Sequence, residues 1–357
     1  MAKQIRHILV AIRSLQHAPK NELYKAAALA KASGASLELF HAIDEPDPGR
    51  SYPQTITKDA VAKRRAAIVA KNQGRLERFA QDKSLRGVRV TCAAVWDHPP
   101  YEAIVRQALA THADLVIAAT RGRRFGARLL LRNTDWELIR HCPVPLLLMK
   151  SRRPRQKPVV LAAVDPFHAH AKRADLDARV LSAASHFARL LHGTAHVFHA
   201  YVPLIAMEPA AMTAAPLMVI PPEVEAAHRR QITRTIEQQA ERAGIARTRR
   251  HILMGDVVRE MSALTHRTHT DLVVMGAVSR SALARLLIGN TAERVLDKLR
   301  CDVLIVKPRG FAASVIRAPS VRKSVHRPKH VGARASRSRR EQDSSVIATR
   351  MVLPPVL

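Results

Sequence analysis

"DLVVMGAVSRSALARLLIGNTAERVL", residues 271–296, decides how this chain reads. Residues 272–275 form an aliphatic run without polar alternation, the pattern of a strand covered on both faces. Gly276 follows at once. Glycine alone visits positive φ without strain, so it suits a sharp turn or the close approach of a ligand. Further on, Gly289, Asn290 and Thr291 open a second periodic segment. Asn is a good N-cap, and a helix start offers free N–H groups and the positive end of a dipole, where anions bind.

The same pattern occurs earlier in the chain. "DLVIAATRGRRFGARLLLRNTDWELI", residues 114–139, aligns with it without a gap. Two more blocks repeat in the same order: "HILVAIR" (7–13) with "VVLAAVD" (159–165), and "GASLELFHAIDEP" from Gly34 with "GTAHVFHAYVP" from Gly193. Three matched blocks in one order identify a tandem duplication. The basic, proline-containing stretch "KSRRPRQKP", residues 150–158, marks the joint. The expected units are residues 1–150, residues 157–308 and a tail of residues 309–357.

Within each copy, strand-like runs alternate with helical periodicity; the second copy reads βαβαβαβαβ. That alternation predicts α/β architecture: two tandem open, mostly parallel sheets flanked by helices, Rossmann-like, with ligands beyond the carboxyl ends of the strands. Gly193 is expected to cap the helix that precedes it. The apolar final strands, "PLLLMK" (145–150) and "DVLIVKP" (302–308), would otherwise leave sheet edges unpaired. They predict an internal pseudo-dimer whose copies pack face to face about a pseudo-twofold axis.

Composition narrows the function classes. Aromatic residues make up only 4% of the chain, which argues against the stacking platforms that bind single-stranded nucleic acid. Three widely spaced cysteines support neither a disulfide framework nor a clustered zinc site. No apolar run approaches the ~18 residues of a membrane span, and the expected location is the cytoplasm. The net charge of +30 is spread along the chain: residues 309–357 carry 11 Lys and Arg against 2 acidic residues, leaving +21 on the rest. The tail lacks periodicity and is rich in Ser, Arg, Lys and His, so it is expected to be disordered and basic. Two readings of the tail stay open: a passive solubilising extension, and a segment that holds nucleic acid through phosphate contacts without sequence preference.

The arrangement resembles the universal stress protein family, in particular its tandem, E-type members. The resemblance rests on "WDHPPYEAI", "NTDWELIRHCPVPLLLMK" and "GNTAERVLDKLRCDVLIVKP", and it spans both copies. It implies a fold like that of the adenine nucleotide alpha hydrolases. Members that bind ATP show Gly, two residues, Gly, nine residues, Gly, then Ser or Thr. Here Gly276 is followed by Ser279 in place of the second glycine, then Gly289, with Asn290 in place of the hydroxyl residue. The resemblance implies that Val164, Asp165, Ala200 and Met275 line an adenine and ribose pocket, and that Gly276, Ser279, Gly289, Asn290, Thr291 and Ala292 form the phosphate side. ATP or a related nucleotide, with Mg²⁺, is the implied ligand, and a stress sensor or adaptor the implied role.

The first copy departs further. Arg13 stands where Asp165 does, Ala119 where Gly276 does and Arg132 where Gly289 does, so nucleotide binding is not expected there. It reads as a degenerate copy retained for packing, with a second reading in which Arg13, Arg121, Arg123, Arg124 and Arg132 converge on a different anion. His168 and His170 near Asp165 offer a His-x-His pair without a third ligand, and read as loop histidines. His41 and His199 repeat at one strand position and read as structural. The chain has neither a nucleophile elbow nor a Walker lysine, so weak ATP hydrolysis at most is expected. A second class stays open: an interaction protein without nucleotide, holding an apolar ligand against the segment 203–222 or a polyanionic partner on its basic surface, with homodimerisation also open.

Overall fold

The computed structural model describes residues 4–45, 57–119, 133–150, 155–167, 175–203, 221–276 and 290–311, without the side chains of Asn133 and Asn290. The first repeat runs β1 (His7–Ala11), α1 (Lys20–Ser33), β2 (Ser36–Ile43), α2 (Lys58–Phe79), β3 (Val90–Trp96), α3 (Pro100–Ala110), β4 (Leu115–Ala119), α4 (Asn133–His141) and β5 (Leu146–Met149). The second runs β6 (Val159–Ala163), α5 (Leu176–Leu190), β7 (Thr194–Tyr201), α6 (Pro222–Arg242), β8 (Arg250–Met254), α7 (Val257–Arg267), β9 (Leu272–Gly276), α8 (Asn290–Lys298) and β10 (Asp302–Val306). The alternation expected from the sequence is present in both.

The ten strands form one sheet, in the order β3-β2-β1-β4-β5-β10-β9-β6-β7-β8. All neighbours are parallel except β5 and β10, which run antiparallel with Leu148 opposite Val303, Leu147 opposite Leu304 and Leu146 opposite Ile305. The face-to-face expectation is therefore corrected: the repeats join edge to edge. The physical reason is the one that made an exposed final strand costly. Each repeat would present a row of unpaired N–H and C=O groups on an apolar strand, and pairing the two rows satisfies both at once. The central strands β1, β4, β5, β9 and β10 bury nearly all of their side chains because helices cover both faces, giving one apolar cluster on each side of the sheet, whereas the edge strands β3 and β8 stay largely half-exposed.

Equivalent anchors repeat at the amino ends of the strands. The Asp114 carboxylate accepts from the N–H groups of Arg6 and His7 at 2.9 and 3.1 Å, and Asp271 accepts from Val159 N–H at 3.0 Å. Helix α1 closes with Ala35 N–H donating to Ala30 O at 3.0 Å and α5 with Gly193 N–H donating to Ala188 O at 2.8 Å. At the first of these ends Gly34 is left-handed, with φ 71°; at the second the left-handed residue is His192, with φ 55°. The expected cap role of Gly193 is thereby corrected. A Cβ at residue 193 would lie 2.0 Å from the carbonyl oxygen of Pro158, so the glycine is there to let two backbones touch.

Candidate functional site

In each repeat the strand order reverses direction beside the first strand, which opens a crevice at the carboxyl ends of the sheet. In the second repeat Ala163, the last residue of β6, pairs with Phe198 of β7 and Met275 of β9. Val164 N–H donates to Phe198 O at 3.0 Å, continuing the ladder by one residue. The register thus brings Val164, Asp165, Ala200, Met275 and Gly276 together at this crevice. Thr291 and Ala292 lie in the first turn of α8, and half-buried Ala292 packs on the same apolar cluster as Ala163 and Ala200. Asn290 is the first residue of that helix. Ser279 and Gly289 lie outside the described residues, as do His168 and His170 and most of the segment 203–222.

Two contacts refine the sequence reading. Asp165 N–H donates to Asp177 Oδ1 at 3.2 Å, so the backbone at the strand end is held by a buried carboxylate in the first turn of α5. A Cβ on Gly276 would come within 2.6 Å of Leu176 Cδ2. Close packing of α5 on β9 is therefore reason enough for a glycine here, apart from any ligand. His199 Nδ1 lies 3.0 Å from Val164 O, and His41 Nδ1 lies 2.7 Å from Ile12 O. Each ring ties the second strand to the end of the first, the structural role read for them. Burial holds the His41 pKa below its usual value, so its ring is neutral at pH 7 and Nδ1–H donates.

The first repeat holds a cavity of about 190 Å³ at the same crevice. Its wall includes Ile12, Arg13, Ala42, Ala118, Ala119 and Thr134. The aligned repeats put these at the positions of Val164, Asp165, Ala200, Met275, Gly276 and Thr291. One addition had not been anticipated from the sequence. The Arg13 guanidinium forms an ion pair with Asp135, whose side chain is only 1% exposed. Asp135 stands in the first turn of α4, where the second repeat has Ala292. An acid in the first turn of a helix is favoured by the positive end of the dipole. Arg13 Nη1 is buried without a hydrogen-bond partner. Arg121, Arg123, Arg124 and Arg132, which the second reading brings together with Arg13, lie outside the described residues.

Other chemistry is weakly supported. Among the described residues no group of three or more His, Cys, Asp or Glu could hold a metal ion. Burial pushes the thiols of Cys92 and Cys301 up to about 12 and that of Cys142 up to about 11, which leaves all three protonated and unreactive at neutral pH. No described helix is long and apolar enough to cross a membrane.

Comparison with known proteins agrees with this geometry. Universal stress protein E of Escherichia coli K12 is 26% identical over 276 residues, 74% of this chain and 84% of its own. The crystal structure of a functionally unknown protein from Pseudomonas aeruginosa PAO1 is 25% identical, covers 85% of this chain and 93% of its own, and gives a TM-score of 0.61. A universal stress protein from Archaeoglobus fulgidus, 16% identical with a TM-score of 0.51, covers 84% of this chain and 98% of its own, and shares the fold alone. The profile of the Universal stress protein family matches twice, over residues 4–150 and 159–307. The chain belongs to the universal stress protein family, as a member that carries the family's domain in tandem.

Proposed function

We propose that this protein senses or adapts by binding ATP or a related adenine nucleotide in its second repeat, while the first repeat has given up that ligand. One observation carries the reading. Val164, Asp165, Ala200, Met275, Gly276 and Thr291 align with residues that line the cavity of the first repeat, and Asp165 and Ala292 stand where that repeat has the Arg13–Asp135 pair. Half-buried alanines at Ala163 and Ala200 suit the flat face of a base. A strand-end carboxylate at Asp165 suits ribose hydroxyl donors, and the open N–H groups of Thr291 and Ala292 suit phosphate oxygens. Asn290, Gly289 and Ser279 complete the phosphate side. Mg²⁺, when bound with the nucleotide, would neutralise phosphate charge, and Asp165 is the carboxylate among the expected binding residues that could help hold it. The expected binding residues support binding and release of the nucleotide, with weak hydrolysis at most.

Titration calorimetry tests the proposal. Full-length protein should bind ATP with Mg²⁺ weakly, with saturation at millimolar nucleotide. Gly289→Arg, which copies the first repeat's Arg132, should abolish the heat. A wild type silent at millimolar ATP would end the nucleotide reading. Mass spectrometry of gently purified protein then separates an apolar ligand from an empty pocket.

A further inference from the structure

The seam between the repeats is symmetric in its backbone and asymmetric in its charge. Leu147 and Leu304 are equivalent residues of the aligned repeats and pair with each other, so the β5–β10 register has a pseudo-twofold centre. Two lysines follow that symmetry. Lys150 Nζ donates to Leu296 O of α8, and Lys307 Nζ donates to Arg140 O of α4 at 3.5 Å, each reaching the last turns of a helix in the other repeat. Neither contact tells one repeat from the other.

Asp302 does. Its Oδ2 lies 2.5 Å from Lys25 Nζ, with the two side chains 12% and 5% exposed, and its Oδ1 accepts from Lys150 N–H at 2.8 Å. One carboxylate of the second repeat therefore holds both α1 and the end of β5 of the first. The matched helix ends place Ala183 at the position of Lys25, and the gapless alignment places Pro145 at that of Asp302. The pair thus exists on only one side of the pseudo-twofold axis. Were two second repeats to pair through β10, each Asp302 would meet an alanine in place of Lys25. Were two first repeats to pair through β5, each Lys25 would meet a proline. Either seam buries a charge that has lost its counter-ion, the costly case for a buried pair.

We propose that Lys25 and Asp302 are specificity-determining residues of the seam, which accepts the unlike repeat and refuses a second copy of the same one. Single buried polar residues set partner and register in the same way in coiled coils. The consequence for function is composition: each joined sheet contains one crevice that carries the Arg13–Asp135 pair and one that keeps Asp165, never two of a kind.

The test relocates the charges in the full-length chain and reads melting temperature together with mass by light scattering across a concentration series. K25A should lower Tm by roughly 5 °C or more. K25A/A183K restores the lysine on the wrong repeat, so it should leave Tm low and show mass rising with concentration, as two second repeats can then pair through β10 with each Asp302 facing the other chain's lysine. The complete transfer, K25A/D302A/P145D/A183K, should recover the wild-type Tm and mass. If K25A proves insoluble, K25A/D302A, which buries no charge, should fold and lose the discrimination. K25A within 1 °C of wild type, or K25A/A183K with wild-type mass at every concentration, would overturn the proposal.

Discussion

Arg13→Ala is expected to destabilise the first repeat by about 3 kcal/mol, and Asp135→Ala by markedly less. The inequality follows from where each charge sits. The Asp135 side chain is 1% exposed and that of Arg13 is 25% exposed. Removing the guanidinium leaves a carboxylate in the interior without its counter-charge, stabilised only by its remaining neighbours and the start of α4. Removing the carboxylate leaves a guanidinium that turns outward to water along its own flexible stem. The double variant, Arg13→Ala with Asp135→Ala, should recover most of the loss, because neither desolvated charge remains. Urea unfolding of the four proteins reads the cycle directly. Equal single losses, or a double loss equal to their sum, would mean that the pair does not act as a unit. The same set bears on function: Asp135→Ala uncovers the α4 N-terminus, so phosphate or sulfate should stabilise that variant more than wild type.

Much of this site was legible in the sequence because duplication supplies an internal reference. Arg13 against Asp165 and Ala119 against Gly276 mark the first repeat as altered on inspection. The compensating change was equally visible: the gapless alignment sets Asp135 beside Ala292, and a cation gained at one strand end matches an anion gained at a helix start. What hid it was distance, since the two residues are far apart in sequence and only the β1–β4 pairing brings their elements together. The joined sheet was hidden for another reason. Apolar final strands announce that they need cover, but an unbroken aliphatic run reads the same whether the other repeat packs on its face or pairs along its edge. Gly193 shows the limit from the other side. Helix-end glycine usually signals a left-handed cap, whereas here His192 takes that conformation and the glycine serves a backbone contact with Pro158 that no local pattern records.

Stability should rise by about 1–2 kcal/mol between pH 7 and pH 9 and fall above it, an unusual alkaline maximum that the seam lysines create. Burial pushes Lys150 and Lys307 down to about 8 from an ordinary value of 10.5. Between those values the unfolded chain binds protons that the folded protein does not, so folding is favoured as pH rises, by roughly 1.4 kcal/mol per lysine from pH 7 to 9. The thiols act in the opposite sense. Cys92, Cys142 and Cys301 ionise near 9 when unfolded but are held to about 12, 11 and 12 when folded, so each withdraws stability once the unfolded thiol begins to titrate. Two lysines gaining from pH 8 and three thiols losing from pH 9 cross near pH 9. Burial also lowers the pKa values of His41, His186, His196 and His251, but their contribution is complete once pH passes the ordinary imidazole range, below this window. The variant K150M/K307M removes the rising limb and keeps the falling one, because a thioether of similar length fills the space without a proton to lose. Its melting temperature, followed from pH 7 to 10.5, should decline steadily from about pH 8. A variant that keeps the wild-type maximum would show that these two ammonium groups are already solvated in the folded protein, and that the seam tolerates their charge without cost.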